Sequence, residues 1–347
     1  MAYEKDECGL PRGADHVVVH RLALACDRRR ARLATVRDPQ HDDPAAVVAG
    51  LDAGAERVIT RLESGAMVWR RWGVGAPLVL LHGASGSWTH WIRNIPALAA
   101  RRRVLAPDLP GFGDSDALPE PHTAERLVNA LATGLAQALP APAEFDLVGF
   151  SFGGIIAGML AAHLGRRVGR LVLIGPNGMA LRTDVADLAL ARVTPGMDEA
   201  AAREVHRENL RRLMLADPAA ADDLAVHVQV ENLRRARFRS GEIPTSDVLL
   251  RALPRIEARL GAIFGGRDAF VGPYLDERRE TLAAVQPGLD FRVVEGAGHW
   301  VNYEAPARVE EALLEMLASP AGRDLTCSRP SAAPPSSRSC APREPSP

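Results

Sequence analysis

Lysine is nearly absent from this chain: of its 42 basic side chains only Lys5 is a lysine. Arginine therefore carries the positive charge, and 43 acidic residues bring the formal net charge to -1. That balance gives no reason to expect a polyanionic partner, so neither nucleic acid nor an anionic membrane is anticipated. Cysteine is also scarce. Cys8, Cys26, Cys327 and Cys340 lie near the two ends and form no C-x-x-C pair, which argues against a disulfide framework or a thiolate metal site. No apolar run approaches the roughly 20 residues of a membrane span. The nearest thing to an apolar leader, residues 17–25, is interrupted by His20 and Arg21 and preceded by the charged Glu4-Lys5-Asp6-Glu7. No signal peptide is read, and a cytoplasmic, reducing setting is expected. Alanine and arginine in excess over lysine read as the product of a GC-rich bacterial gene.

What remains is an ordinary globular composition, 47% hydrophobic and 24% charged over 347 residues. That length suits one large α/β domain with an insertion, or two smaller domains. Residues 1–52 mix a short apolar run with solvated, charged stretches and read as a poorly ordered extension. From Glu56 the pattern is regular. A hairpin is expected over 57–62 and 66–72, a buried strand over 77–81, a helix over 95–100 and a strand over 104–107. A helix over 123–139, a strand over 145–150, a helix over 155–164 and a strand over 170–174 follow. Apolar strands alternating with helices argue for a mostly parallel sheet covered on both faces. Residues 177–252 break the alternation with helical, charged sequence and read as a lid inserted after the sixth strand. The alternation resumes with strands over 260–264 and 291–294 and helices over 275–285 and 305–317. The tail 319–347, rich in Pro, Ser and Arg, reads as disordered. The core is thus 53–176 with 253–318.

The chemistry centres on Gly149-Phe150-Ser151-Phe152-Gly153, a G-x-S-x-G pattern between a strand and a helix. A serine pushed out at such a turn needs neighbours without side chains, and the helix N-terminus aims amide hydrogens at any oxyanion beside it. A serine hydroxyl needs a base, and the base an orienting carboxylate. His299, in Gly296-Ala297-Gly298-His299-Trp300, follows the last strand, and Asp268, in Gly265-Gly266-Arg267-Asp268, follows the strand before it. The chain has 10 histidines, but His163, His206 and His227 sit in helical stretches and read as surface or packing residues. The order Ser151, Asp268, His299 is that of a strand-end triad. The backbone amides of Phe152 and Ala84 are the candidate oxyanion donors, with Ser85 a substitute for Ala84. His82, Gly83, Ser85, Trp88, Phe150 and Trp300 are candidate substrate-pocket residues. No metal and no cofactor is called for; the expected partner is a small-molecule substrate. Asp108 reads as a turn-stabilising residue, and Arg211, Arg212, Arg234 and Arg235 as a solvated face.

Over residues 53–318 the chain resembles the α/β-hydrolase superfamily. The likeness rests on Leu81-His82-Gly83, on Pro107-Asp108 with Gly111-Phe112-Gly113-Asp114-Ser115, on the Ser151 motif, on Gly266-Arg267-Asp268 and on Gly298-His299. It implies that fold, a helical lid, and hydrolysis of a small ester or related acyl bond through an acyl-enzyme. Epoxide hydrolases and haloalkane dehalogenases of this fold carry aspartate where Ser151 stands, so the resemblance does not extend to them. Asn94, the run from Arg267 to Val271, and Trp300 resemble the meta-cleavage-product hydrolases, which split carbon–carbon bonds. Those enzymes usually carry an H-G-x-G-P-G loop, and His82-Gly83-Ala84-Ser85-Gly86-Ser87 lacks its proline. Carbon–carbon bond hydrolysis is therefore the alternative reading, and a non-catalytic ligand receptor on the same fold a second one.

Overall fold

The computed structural model describes residues 43–184 and 190–318. The expected tail, most of the expected N-terminal extension and all four cysteines lie outside them. The first described element corrects one expectation. Residues assigned to the loose extension form helix α1 (Pro44–Ala53), capped by the Asp43 side chain with proline at its start. Leu51 is buried, Trp72 Nε1 donates to the Leu51 carbonyl at 3.0 Å, and Arg70 bonds Asp52 at 2.5 Å. A charge pair to the sheet, not an apolar face alone, anchors this helix.

Eight strands form one sheet: β1 (Glu56–Leu62), β2 (Gly65–Trp72), β3 (Pro77–Leu81), β4 (Arg103–Pro107), β5 (Phe145–Phe150), β6 (Val168–Ile174), β7 (Arg259–Gly265) and β8 (Asp290–Val294). Their order is β1-β2-β4-β3-β5-β6-β7-β8. The β1/β2 hairpin and the β2/β4 pairing are antiparallel, and every later pairing is parallel. Alternate side chains of a strand face opposite sides. Val79, Leu81, Leu147 and Leu171 therefore join one buried cluster, while Leu78, Leu80, Val148 and Val172 join the other. A strand buried on both faces is expected to be mostly apolar, and β5 is so except for Asp146, whose carboxylate pairs with Arg102 at 2.5 Å.

One face carries α3 (Ala124–Ala138) and α4 (Phe152–Leu164); the other carries α2 (Ile95–Ala99) and the C-terminal α10 (Pro306–Ala318). Between β6 and β7 the chain forms α5 (Glu199–Leu213), α6 (Asp223–Arg235) and the short α7 (Val248–Ala252), so the expected helical insertion occupies that place in the order. Asp198 and Asp222 cap α5 and α6 through bonds to Ala201 N and Ala225 N. The remaining α-helices among the described residues are α8 (Leu275–Val285) and the single turn α9 (Val301–Glu304). No helix among the described residues is long and apolar enough to cross a membrane.

Candidate active site

Ser151 sits between the end of β5 and the start of α4 with φ 52° and ψ -118°, a left-handed conformation that a residue with a side chain adopts only under constraint. The constraint is visible on both sides. Ser151 N donates to the Ile174 carbonyl at 2.7 Å, pinning the turn to β6. A Cβ on Gly149 would stand 2.3 Å from the Gly153 carbonyl oxygen, and one on Gly153 would stand 2.4 Å from the His82 carbonyl oxygen. Strand, helix and the neighbouring loop close on one another at distances no side chain permits.

β7 and β8 bring the other two groups. Gly265 ends β7 so close to the next loop that a Cβ there would lie 2.0 Å from the Gly298 carbonyl oxygen. Arg267 N donates to the Ala297 carbonyl at 2.8 Å, so the loops carrying Asp268 and His299 are bonded directly. His299 Nε2 lies 2.9 Å from Ser151 Oγ, and His299 Nδ1 lies 2.7 Å from Asp268 Oδ2. A carboxylate only accepts, so Nδ1–H donates to Asp268 and Nε2 is left to accept from the serine hydroxyl. The second carboxylate oxygen of Asp268 accepts from Phe270 N at 2.8 Å. Asp268 and His299 are 2% and 1% exposed, whereas Ser151 keeps an open side. The loop that follows α5 braces the histidine loop: Glu304, five residues beyond His299, accepts from Gly298 N at 2.7 Å and from Ala216 N at 3.1 Å.

Phe152 is the first residue of α4, whose opening amides have no partner within the helix. Ala84 follows β3 and is exposed, and Ser85 beside it is half-buried with φ 50°. Gly83 is held on both backbone groups. His82 Nε2 accepts from Leu109 N at 2.9 Å, leaving Nδ1–H to donate to the Gly83 carbonyl at 2.8 Å. The Gly83–Ala84 peptide is trans, so the Ala84 N–H points away from the side on which the Gly83 carbonyl meets His82. Gly83 N in turn donates to His90 Nδ1 at 3.1 Å.

The pocket assignments change. His82, Phe150 and Trp300 are 0% exposed and do not border an open space. His82 is a lock inside the loop. Phe150 packs its ring on His90 and His299. Trp300 stacks on Tyr303 and donates Nε1 to the His90 carbonyl at 3.1 Å. Trp88 does border a cavity, of about 410 Å³, but that cavity lies among α1, Arg70, Asp108 and α6 and Ser151 is not on its wall. Gly83 is likewise buried; Ala84 and Ser85 are the parts of this loop that reach the surface. Asn94, whose position suggested carbon–carbon chemistry, is buried and bonds Glu310 and Asn302. Arg211, Arg212, Arg234 and Arg235 pair with Glu204, Glu208, Glu231 and Asp114 respectively. Asp108 accepts from Trp88 N and Asp114 N, which is the work of a turn residue. His90, absent from the sequence reading, touches the site on two sides. Only its closeness to His82 in sequence could have drawn attention to it.

Comparison with known proteins gives a consistent picture. The model of the Alpha/beta hydrolase family matches residues 78–312. A 2-hydroxymuconate semialdehyde hydrolase from Pseudomonas sp. (strain CF600) is 30% identical over 71% of this chain and 88% of its own. A 2-hydroxy-6-oxo-2,4-heptadienoate hydrolase from Pseudomonas putida F1 is 34% identical over 67% of this chain and 85% of its own. The crystal structure of a membrane phospholipase A superposes with a TM-score of 0.65 at 21% identity, covering 86% of this chain and 96% of that one. That last likeness is one of fold.

Proposed function

The chain belongs to the α/β-hydrolase family, and we propose that it is a serine hydrolase cleaving a small carboxylic ester or related acyl bond through an acyl-enzyme. The observation that carries this reading is the row Ser151 Oγ, His299 Nε2 at 2.9 Å, His299 Nδ1, Asp268 Oδ2 at 2.7 Å. His299 takes the hydroxyl proton as Ser151 Oγ bonds to the acyl carbon. Asp268 holds the tautomer and stabilises the imidazolium. The carbonyl oxygen becomes an oxyanion facing the amides of Phe152 and Ala84. As the tetrahedral species collapses, the leaving alkoxide takes the proton from Nε2. Water then repeats the sequence: His299 removes its proton, the hydroxide bonds to the acyl carbon, and Ser151 leaves as the free hydroxyl. No residue in this account needs a metal or an organic cofactor.

A second reading is hydrolysis of a carbon–carbon bond in a ring-fission diketone acid. What favours it is that relatives at 30% and 34% identity are named as hydrolases of 2-hydroxymuconate semialdehyde and 2-hydroxy-6-oxo-2,4-heptadienoate. Against it, Trp300 and Asn94 are packing residues, and the arginines of α5 and α6 that could meet a substrate carboxylate are paired with acids. The test is one panel: p-nitrophenyl esters of several chain lengths beside a ring-fission diketone, with Ser151→Ala as control. Ester turnover and labelling by a fluorophosphonate, both lost in the variant, support the first reading. Bleaching of the diketone's visible absorbance with no ester turnover moves the assignment to the second. Neither turnover nor labelling of the folded protein overturns both and leaves a ligand-binding role.

A further inference from the structure

His90 occupies an unusual position for a buried polar group. The residue is 3% exposed, and its ring lies among Phe150, Trp300 and His82, with centroids 5.6, 5.0 and 6.2 Å away. A hydrocarbon side chain would fill that space at lower desolvation cost, so the ring nitrogens need a reason to be there. Nδ1 has one: it accepts the Gly83 N–H at 3.1 Å. Space has been cleared for this contact. A Cβ on Gly86 would lie 2.4 Å from His90 Nδ1, so residue 86 has no side chain to push the ring away. The residue also reaches the opposite loop. Its carbonyl accepts from Trp300 Nε1 at 3.1 Å and from Asn302 Nδ2 at 2.8 Å, both just after His299. It is placed by the single turn 88–91, where His90 N donates to the Ser87 carbonyl at 3.0 Å. Burial first, then the neighbouring His82 and His299, holds its pKa well below the ordinary histidine value. The ring therefore stays neutral and Nδ1 stays free to accept.

We propose that His90 is a positioning residue for the oxyanion donor of this site: its Nδ1 holds the Gly83 amide while its carbonyl holds the segment following His299. The Ala84 N–H and the imidazole that must work together are thereby kept in one geometry. His82 orients the Gly83–Ala84 peptide from its carbonyl side, and His90 stops the same residue from rotating on its amide side. This rests on the reading of Ser151 as nucleophile. The bond between His90 and Gly83 does not, and the experiment separates the two.

Two variants are informative. His90→Leu removes the acceptor and keeps an apolar filling. His90→Asn retains an acceptor oxygen at the branch position of Nδ1. On the best p-nitrophenyl ester, His90→Leu is expected to lower kcat about tenfold or more with KM within about twofold, because a displaced donor weakens only the oxyanion. His90→Asn should recover kcat to within about threefold of the parent. In the unmodified protein, nitrogen-15 NMR should show His90 Nδ1 unprotonated and Nε2 protonated, and amide exchange at Gly83 should be slow and become fast in the leucine variant. An unchanged kcat in His90→Leu overturns the proposal, as does a leucine variant whose loss appears in KM alone. So does a protonated Nδ1, or a loss in the asparagine variant equal to that in leucine. If the leucine variant does not fold, the tautomer, the Gly83 exchange rate and the asparagine variant decide. If the parent neither turns over esters nor reacts with a fluorophosphonate, the functional reading falls, and the tautomer and exchange data still report on the contact.

Discussion

Arg70 Nη1 lies 2.9 Å from Asp108 Oδ2, with the two side chains 4% and 1% exposed. The same guanidinium reaches Asp52 of α1 and Asp114 of the loop after β4, each at 2.5 Å. One side chain on β2 thus ties α1, the sheet and the loop whose Leu109 amide locks His82. Removing one member of such a buried network leaves charge uncompensated, whereas removing both partners of a pair is milder. Arg70→Met is expected to cost about 3–5 kcal/mol of stability. Urea unfolding checks this, and the loss on adding Asp108→Asn should be smaller than the sum of the single effects. Strict additivity would mean that the two side chains are not coupled.

The proposed serine hydrolysis predicts a graded series. Ser151→Ala should remove ester turnover to the detection limit, and His299→Gln should come close to it. Asp268→Asn, which keeps the shape but loses the preferred imidazole tautomer, should lower kcat by roughly 10³ to 10⁴. Steady-state kinetics with matched circular dichroism is the check. An Asp268→Asn variant with near-parental kcat would mean that another group orients His299.

Close approach at the Ser151 turn is a stability matter. Gly153→Ala would place a methyl group 2.4 Å from the His82 carbonyl oxygen and 2.5 Å from that of Leu81. Both are backbone atoms and cannot swing aside. Gly288→Ala, at a position with nothing within 4 Å, is the matched control. A loss of about 3 kcal/mol is expected for the first and less than about 0.5 kcal/mol for the second. Thermal melts of the pair test it, and equal melting temperatures would contradict the packing described.

Glu310 gives stability a pH dependence of known sign. Burial raises its pKa to about 7, against the weaker opposing effect of a bond from Asn94 Nδ2 at 3.3 Å. Free glutamate titrates near 4.3, so between roughly pH 4.3 and 7 the folded protein binds more protons than the unfolded chain. The contribution of this group is favourable below that window and is lost as pH rises through it. The difference in unfolding free energy between Glu310→Gln and the parent should therefore grow in favour of the variant from about pH 5 to 7. Parallel stability curves would show that the carboxyl is not held in its protonated form.

Much of the site is legible in the chain because its causes are local. A glycine on each side of a serine, between an apolar run and a helical one, describes a turn whatever else the protein does. Asp268 and His299 stand out by sitting in glycine-containing loops just past strands. Trp300 and His82 mislead for the same local reason: they adjoin strand ends, but whether a ring at a strand end faces substrate or core depends on what packs over it. Trp300 turns inward onto Tyr303, and His82 is consumed by Leu109 and Gly83. Helix α1 is not legible in the sequence because what anchors it is distant: Arg70, from β2, is brought to Asp52 only by the tertiary structure.

Periodicity and glycine placement, read along the chain, determine the alternating sheet and the order of the three polar residues at its strand ends, because both are written in neighbours a few residues apart. The 2.9 Å between Ser151 and His299, the imidazole that holds Gly83 and the burial of Trp300 belong to the tertiary structure alone. The first and last join segments far apart in the chain, and the second depends on burial among Phe150 and Trp300 that sequence neighbours do not supply; only the packing of the sheet against its two helical layers brings these groups together.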